Sequence, residues 1–217
     1  MRRIHLPTTL AILLVSASLC AGWYIQSIAQ ATEAKLPQGK LRVTSPTTPA
    51  KVGHPSFLSP HASPIAIHRH FVFVVNTPAD TLDVIDKAQR KVISRIDVGI
   101  DPVSIAVRPD GREAWVANHV SDSVSVIDIF PRSATYLQVI ATIQEFDEST
   151  KATRFDEPVG IAFAGNDKAY VALSSENKIA VVNVETRKVT KRLNITAQDP
   201  RAITVRNDRL YVLPFES

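Results

Sequence analysis

The stretch WVANHVSDSVSVID at 115–128 decides the fold, because the chain writes it more than once. Residues 71–86 read FVFVVNTPADTLDVID, and the same lettering returns after Tyr170 and Tyr211. Taking the aromatic residue as origin, Phe73, Trp115, Tyr170 and Tyr211 open FVVN, WVAN, YVAL and YVLP. Thirteen residues further on, in three of the copies, stand Asp86, Asp128 and Asn183. Ahead of each aromatic lies a run opened by proline: PIAI at 64–67, PVSIAV at 102–107, PVGIAF at 158–163 and PRAITV at 200–205. Behind the Asp or Asn comes a further run: KVISRI at 91–96, QVIATI at 138–143 and KVTKRL at 188–193.

These runs alternate. TLDVID at 81–86, SVSVIDI at 123–129 and KIAVVNV at 178–184 have period two, the mark of a strand with two unlike faces. Pro109-Asp110-Gly111, Asn166-Asp167 and Asn207-Asp208 stand between the first and second runs. Such residues tolerate positive φ and suit tight hairpins. No stretch beyond 64 holds a period of 3.6 with helix caps. Four short antiparallel strands in about 40 residues form the blade of a β-propeller. The fold class is therefore all-β, with about three and a half blades: 64–98, 102–143, 158–195 and a half blade at 200–214. A closed propeller needs about four to eight blades. The chain is thus expected to be a fragment of a longer protein, or to close by joining other copies.

The phrases YVAL, WVAN and FVVN, followed by S-V-S-V-I-D and P-V-x-I-A-V-x-P-D-G, resemble the YVTN family of β-propeller repeats. That family sits among the WD40-like and YncE-like bacterial propellers, and the resemblance covers about 64–214. It implies an architecture and leaves the function open. Similar propellers serve as extracytoplasmic binding platforms, surface-layer proteins, lactonase-like enzymes and haem-d1 or quinoprotein-associated domains. Some continue into a c-type haem, peroxidase-like domain. The blade layout of the family also puts Asp101, Glu157 and Asp199, each just before a first-strand proline, at one mouth of the central channel. Two readings follow: a carboxylate ring holding a cation or a basic partner, or carboxylates bonded within their own turns.

The chain has 217 residues, 45% of them apolar and 21% charged, ordinary values for a globular protein. Arg2 and Arg3 precede an apolar run from Leu10 to Ile25 and the small-x-small site Ala29-Gln30-Ala31. That is the layout of a cleaved secretory signal peptide over 1–31. A lipobox at Cys20 is opposed by Leu19 before it. An uncleaved anchor through 8–28 is the other alternative, although the run is short of the ~20 residues of a spanning helix. Residues 32–62, rich in Pro, Thr and Ser, read as a linker. The alternative there is that KLRVT at 40–44 pairs with a sheet edge. The expected location is periplasmic or extracellular.

Cys20 is the one cysteine, so cleavage leaves no disulfide, no C-x-x-C-H haem attachment and no cysteine metal site. Loss of Arg2 and Arg3 lowers the formal charge of +4 by two, too balanced for a nucleic-acid partner. No cofactor is expected, and no G-x-S-x-G, H-E-x-x-H or P-loop is present. His68 and His70 would share a face if extended, with His54 and His61 nearby, but no acid stands beside them at ligand spacing. The second unit carries about five extra residues near 130–134 and about eight more in QEFDESTKATRFDEP at 144–158. Loops of this kind on a rigid scaffold often bind. The candidate partner contacts are Phe146, Asp147, Glu148, Lys151, Arg154 and Phe155. The functional expectation is an exported, non-catalytic binding or scaffold module, with the propeller domain of a larger periplasmic oxidoreductase or lactonase-like enzyme as the alternative.

Overall fold

Strand alternation and the turn residues produce the sheets the repeat anticipates. The computed structural model describes residues 59–196 and 198–216, all within the unit Val43–Ser217. The first blade comprises β1 (Ile65–His68), β2 (Phe71–Asn76), β3 (Thr81–Asp86) and β4 (Lys91–Asp97). The second comprises β5 (Pro102–Val107), β6 (Glu113–Asn118), β7 (Ser123–Asp128) and β8 (Gln138–Ile143). The third comprises β9 (Pro158–Phe163), β10 (Lys168–Leu173), β11 (Lys178–Asn183) and β12 (Lys188–Asn194). A half blade follows, β13 (Gln198–Arg206) and β14 (Arg209–Glu216). Each complete blade is an antiparallel meander in chain order. This is a β-propeller in which three blades and a half are present. The only helix among the described residues is a 3₁₀ turn at Thr77–Ala79.

Register is the same in every blade. The second-strand aromatic faces a valine of the third strand: Phe73 opposite Val84, Trp115 opposite Val126, Tyr170 opposite Val181. Just beyond that valine each third-to-fourth pairing shifts register by a bulge. Bulges raise the local twist, which suits the strongly twisted blade. The constant Asp or Asn then closes the turn to the fourth strand. Asp86 accepts the Gln89 N–H, Asp128 the Phe130 N–H and Asn183 the Thr186 N–H, at 2.8–2.9 Å. For Asp128, burial pushes the carboxyl pKa up, but hydrogen bonds from Ser133, Thr135 and Phe130 outweigh it and hold the group below its usual range.

Burial fixes the stacking order. Every residue of β6 and β7 is buried, because the middle blade is covered on both faces. Ala114, Val116 and Ile127 join Phe73, Leu82 and Val84 in one core between the first two blades. Trp115, Val124 and Val126 join Val159, Val171 and Leu173 in a second core between the next two. Burial of these apolar rows is the main stabilising term of a stacked repeat. The Trp115 indole N–H donates to Glu113 at 2.9 Å, and Arg187 of the third blade reaches the same carboxylate at 3.1 Å. A buried charge is thereby paired across the blade boundary.

Two details differ from the sequence reading. Asn207 and Asp208 are both left-handed, as a two-residue hairpin requires. In the third blade, however, the left-handed position falls on Gly165 (φ +87°), not on Asn166 or Asp167. The second concerns the linker. Its last residues, 59–62, belong to the folded part: Pro60 is buried, and Ser59 donates to Asp101 at 2.8 Å. The readings for 1–31, 8–28, Cys20, 40–44 and His54 lie outside the described residues.

Candidate functional site at the channel mouth

The innermost strands are the first of each blade, and they lie close together. Ser63 and Ser104 form a parallel bridge, and the Ser104 hydroxyl donates to the carbonyl of Val159. The acidic residues that precede these strands share one geometry. Asp101, Glu157 and Asp199 all have left-handed φ, at 59°, 50° and 50°. Each backbone N–H is held by the second-to-third turn of the preceding blade. Asp80 accepts from Asp101 at 2.9 Å, Asp122 from Glu157 at 3.0 Å and Asn177 from Asp199 at 2.7 Å. Asp80, Asp122 and Asn177 are left-handed too, a conformation Asp and Asn tolerate better than most residues.

This repeated latch was missed in the sequence. Its signal was present: Asp80, Asp122 and Asn177 stand at one offset from Phe73, Trp115 and Tyr170. The latch carries an electrostatic cost at one joint. Burial raises the Asp122 carboxyl pKa, and Asp156 and Glu157 nearby add to the rise against the pull of the Glu157 N–H.

The carboxylates themselves turn to separate partners. Asp101 accepts from Ser59, Glu157 from Ser174 at 3.2 Å, and Asp199 binds Arg201 with two bonds at 2.7 and 3.0 Å. Among the described residues no three His, Cys, Asp or Glu side chains converge on a point where a metal ion would sit. Asp101, Glu157 and Asp199 thus each hold a side-chain partner of their own, and only the Asp199–Arg201 pair lies within one turn.

Glu157 and Asp199 nevertheless border one cleft of about 360 Å³, with His119, Asn177 and Arg201 around it. That volume is at the low end for a small-molecule site. The His119 side chain borders the cleft, and its Nδ1 is buried without a hydrogen-bond partner. Arg201, besides binding Asp199, lies 3.7 Å from the centre of the Phe215 ring. The arrangement offers a cation, two anions, an amide and an imidazole, which suits recognition of a small polar group.

The insertion at 144–158 folds as a small hairpin. Phe146 bridges Thr153, and the Arg154 N–H donates to the Glu145 carbonyl at 2.7 Å. Asp147 shapes its tip by accepting from Ser149 and Thr150, and these bonds lower its pKa to about 2. The hairpin is clamped to the third blade by Arg192, which donates to Glu145 at 2.6 Å and to the Arg154 carbonyl at 2.5 Å. Phe155 is fully buried in the core between the second and third blades. It is an anchor of the loop and is removed from the set of partner contacts. Phe146 is exposed, as are Glu148, Lys151 and Arg154.

The histidines do not form a shared face. His68 ends β1, and a left-handed Arg69 turns the chain before His70. His68 instead lies over Gly111, and burial, with Arg69 and His70 adding to it, lowers its pKa. His61 is bonded to Thr77 at 2.8 Å.

No family model and no curated protein matches the sequence. Solved structures do. Hydrazine synthase of Kuenenia stuttgartiensis is similar at 26% identity and a TM-score of 0.57, over 77% of this chain and 46% of that one. The β-propeller domain of Cps50 (Swd1) from Myceliophteria thermophila is similar at 14% identity and a TM-score of 0.55, over 68% of this chain and 48% of that one. U3-55K is similar at 15% identity and a TM-score of 0.50, over 62% and 39%. The chain thus spans about half the length of the first two structures it resembles, 46% and 48%.

Proposed function

We propose that this chain is an exported, non-catalytic propeller module of the YVTN type that binds a small polar ligand or a protein group at one channel mouth. The observation that carries the reading is the cleft bordered by Glu157, Asp199 and Arg201, with the His119 side chain beside them. Export rests on Arg2, Arg3, the apolar run and Ala29-Gln30-Ala31. A phosphatase reporter fused after residue 62 tests export, and an inactive fusion refutes it. A ligand-observed NMR screen of small polar compounds against the wild type and His119→Ala tests the cleft. Hits that bind both proteins equally refute it.

The likeness to hydrazine synthase at 26% identity favours a second reading, a propeller part of a larger extracytoplasmic oxidoreductase. Isolation of the native protein from the extracytoplasmic fraction of its source cell, with an antibody against 72–205, tests this. A haem absorbance band on that protein supports the second reading, and a haem-free protein of this chain's own mass opposes it.

A further inference from the structure

Three large apolar side chains stand bare on the mouth face. Val120 is 60% exposed, Phe146 51% and Ile100 50%. They come from three segments: the connection into β5, the β6–β7 turn and the hairpin that leads to β9. Each segment lies within or between complete blades, so this exposure does not come from the half blade. Ser121 gathers the three. Its hydroxyl accepts the Ile100 N–H at 2.9 Å, and its carbonyl accepts the Gln144 side-chain amide at 3.2 Å. Exposure alternates from Gln144 to Glu148, so Phe146 shares the face of Gln144. Val120 is the neighbour of Ser121 in the chain. Single exposed apolar residues are ordinary, but a contiguous group of them marks an interaction surface.

The rim of this group is acidic. Asp101 follows Ile100, and Asp122 follows Ser121. Burial raises the Asp122 carboxyl pKa, and the nearness of Asp156 and Glu157 adds to the rise. Glu145, Glu176 and Asp199 have cationic partners in Arg192, Lys178 and Arg201. Asp101, Asp122, Asp156 and Glu157 have no ion pair among the described residues. The cations of the hairpin do not supply one. Lys151 sits in the turn at its tip, and Arg154 follows Thr153, the bridge partner of Phe146, so it takes the opposite face.

We propose, resting on the mouth-binding reading above, that the face formed by Ile100, Val120 and Phe146 docks a polypeptide segment in which an apolar side chain stands beside a lysine or arginine. The apolar side chain covers Val120 and Phe146, and the cation reaches Asp122, Asp156 and Glu157. Complementary charge selects such a partner, and the same carboxylates oppose a nucleic acid or an anionic lipid surface.

The test is panning of a phage-displayed library of random peptides on the full 217-residue chain, followed by fluorescence anisotropy with the selected peptide. The expected consensus places Lys or Arg beside Leu, Ile or Phe. Phe146→Ala is expected to weaken binding by at least ~10-fold, as loss of an aromatic anchor does. Asp156→Asn should weaken it by up to about 5-fold and flatten its salt dependence. Val120→Ser, a second exposed position, should weaken it as well, with melting unchanged in both surface variants. No enrichment, an acidic consensus, or equal binding by wild type, Phe146→Ala and Val120→Ser overturns the proposal. Concentration-dependent self-association that Phe146→Ala abolishes also overturns it, by making a second copy the occupant. Peptide binding lost in Phe146→Ala, while cleft ligands bind wild type and His119→Ala alike, supports this face and refutes the cleft. The reverse pattern refutes this face alone.

Discussion

Gly160→Ala is expected to loosen the half blade while leaving the first two blades intact. In the second and third blades the third position of the inner strand, counted from its proline, abuts the carbonyl of the second position in the next one. In the second blade this is Ser104, whose hydroxyl bonds the Val159 carbonyl. In the third it is Gly160, where an added Cβ would lie 2.2 Å from the Arg201 carbonyl oxygen and 3.1 Å from Ile203 Cγ1. The shorter distance falls roughly 1.3 Å below ordinary van der Waals contact. The atom it meets is backbone, so no rotamer change relieves the clash, and β13 must shift away from β9. Overpacking of this kind costs about 1–3 kcal/mol. If the half blade opens separately from the rest, its amides at 198–206 and 209–216 should exchange about 5- to 150-fold faster. Amide exchange read by mass spectrometry resolves this, with β5–β8 as internal reference. Ser104→Ala is the control, because its Cβ is already accommodated. It should cost about 1 kcal/mol for the lost hydroxyl bond without a selective effect on β13 and β14. Unchanged exchange of the half blade in Gly160→Ala would refute the close inner-strand contact and the assignment of Gly160 to it.

The remaining expectations concern the latch, the insertion and the core. Asp122→Asn keeps an acceptor for the Glu157 N–H, as Asn177 does for Asp199, and removes a carboxylate whose pKa is raised by burial and by its acidic neighbours. The raised group favours the fold below its unfolded pKa of about 3.9, and that advantage is lost as pH rises through the folded value. The variant should therefore melt higher than wild type at neutral pH and no higher near pH 3, and a neutral-pH loss would refute the assigned strain. Asp147 should titrate by carboxyl NMR with a midpoint of about 2, and a Ser149→Ala change should raise that midpoint. Phe155→Ala should cost about 3–5 kcal/mol in denaturant unfolding, where an exposed loop residue would cost almost nothing. Ile127→Asp places an unpaired carboxylate in the core between the first two blades and should abolish cooperative thermal unfolding.

The blades were readable because period two, turn residues and a fixed aromatic-to-aspartate spacing all report the same unit. Each of those signals is local, within one hairpin. The role of Asp86, Asp128 and Asn183 was half visible: their spacing was plain, and their use as turn acceptors needed coordinates. The latch was harder, since Asp80 and Asp101 belong to different blades and only their φ values and mutual bond reveal the pair. Phe155 shows the limit of composition. It sits among Asp147, Glu148, Lys151 and Arg154 and reads as loop surface, yet it is followed closely by the β9 strand and is drawn into the core with it. Likewise nothing in the order of residues placed Arg192, which joins the insertion to the third blade through Glu145.

The physical division in this chain lies between residues that obey the repeat and residues that depart from it. Asp101, Glu157 and Asp199 obey it, and their backbone N–H groups are committed to the latch that orders successive blades. A group that performs the same structural task in every blade has little freedom to recognise one ligand. The side chains of His119 and Arg201 and the hairpin at 144–158 depart from the repeat, although the His119 N–H bonds the Asp101 carbonyl as the Ser174 N–H bonds that of Glu157. His119 carries a buried nitrogen with no partner, Arg201 turns to Asp199 and Phe215, and the hairpin presents Phe146 half-exposed. Those are the places where specificity can change without disturbing the stack. Of the repeat positions, Glu157 and Asp199 also border the cleft. It follows that substitution of Asp101 should register mainly as lost stability, and substitution of His119 mainly as altered binding with stability retained.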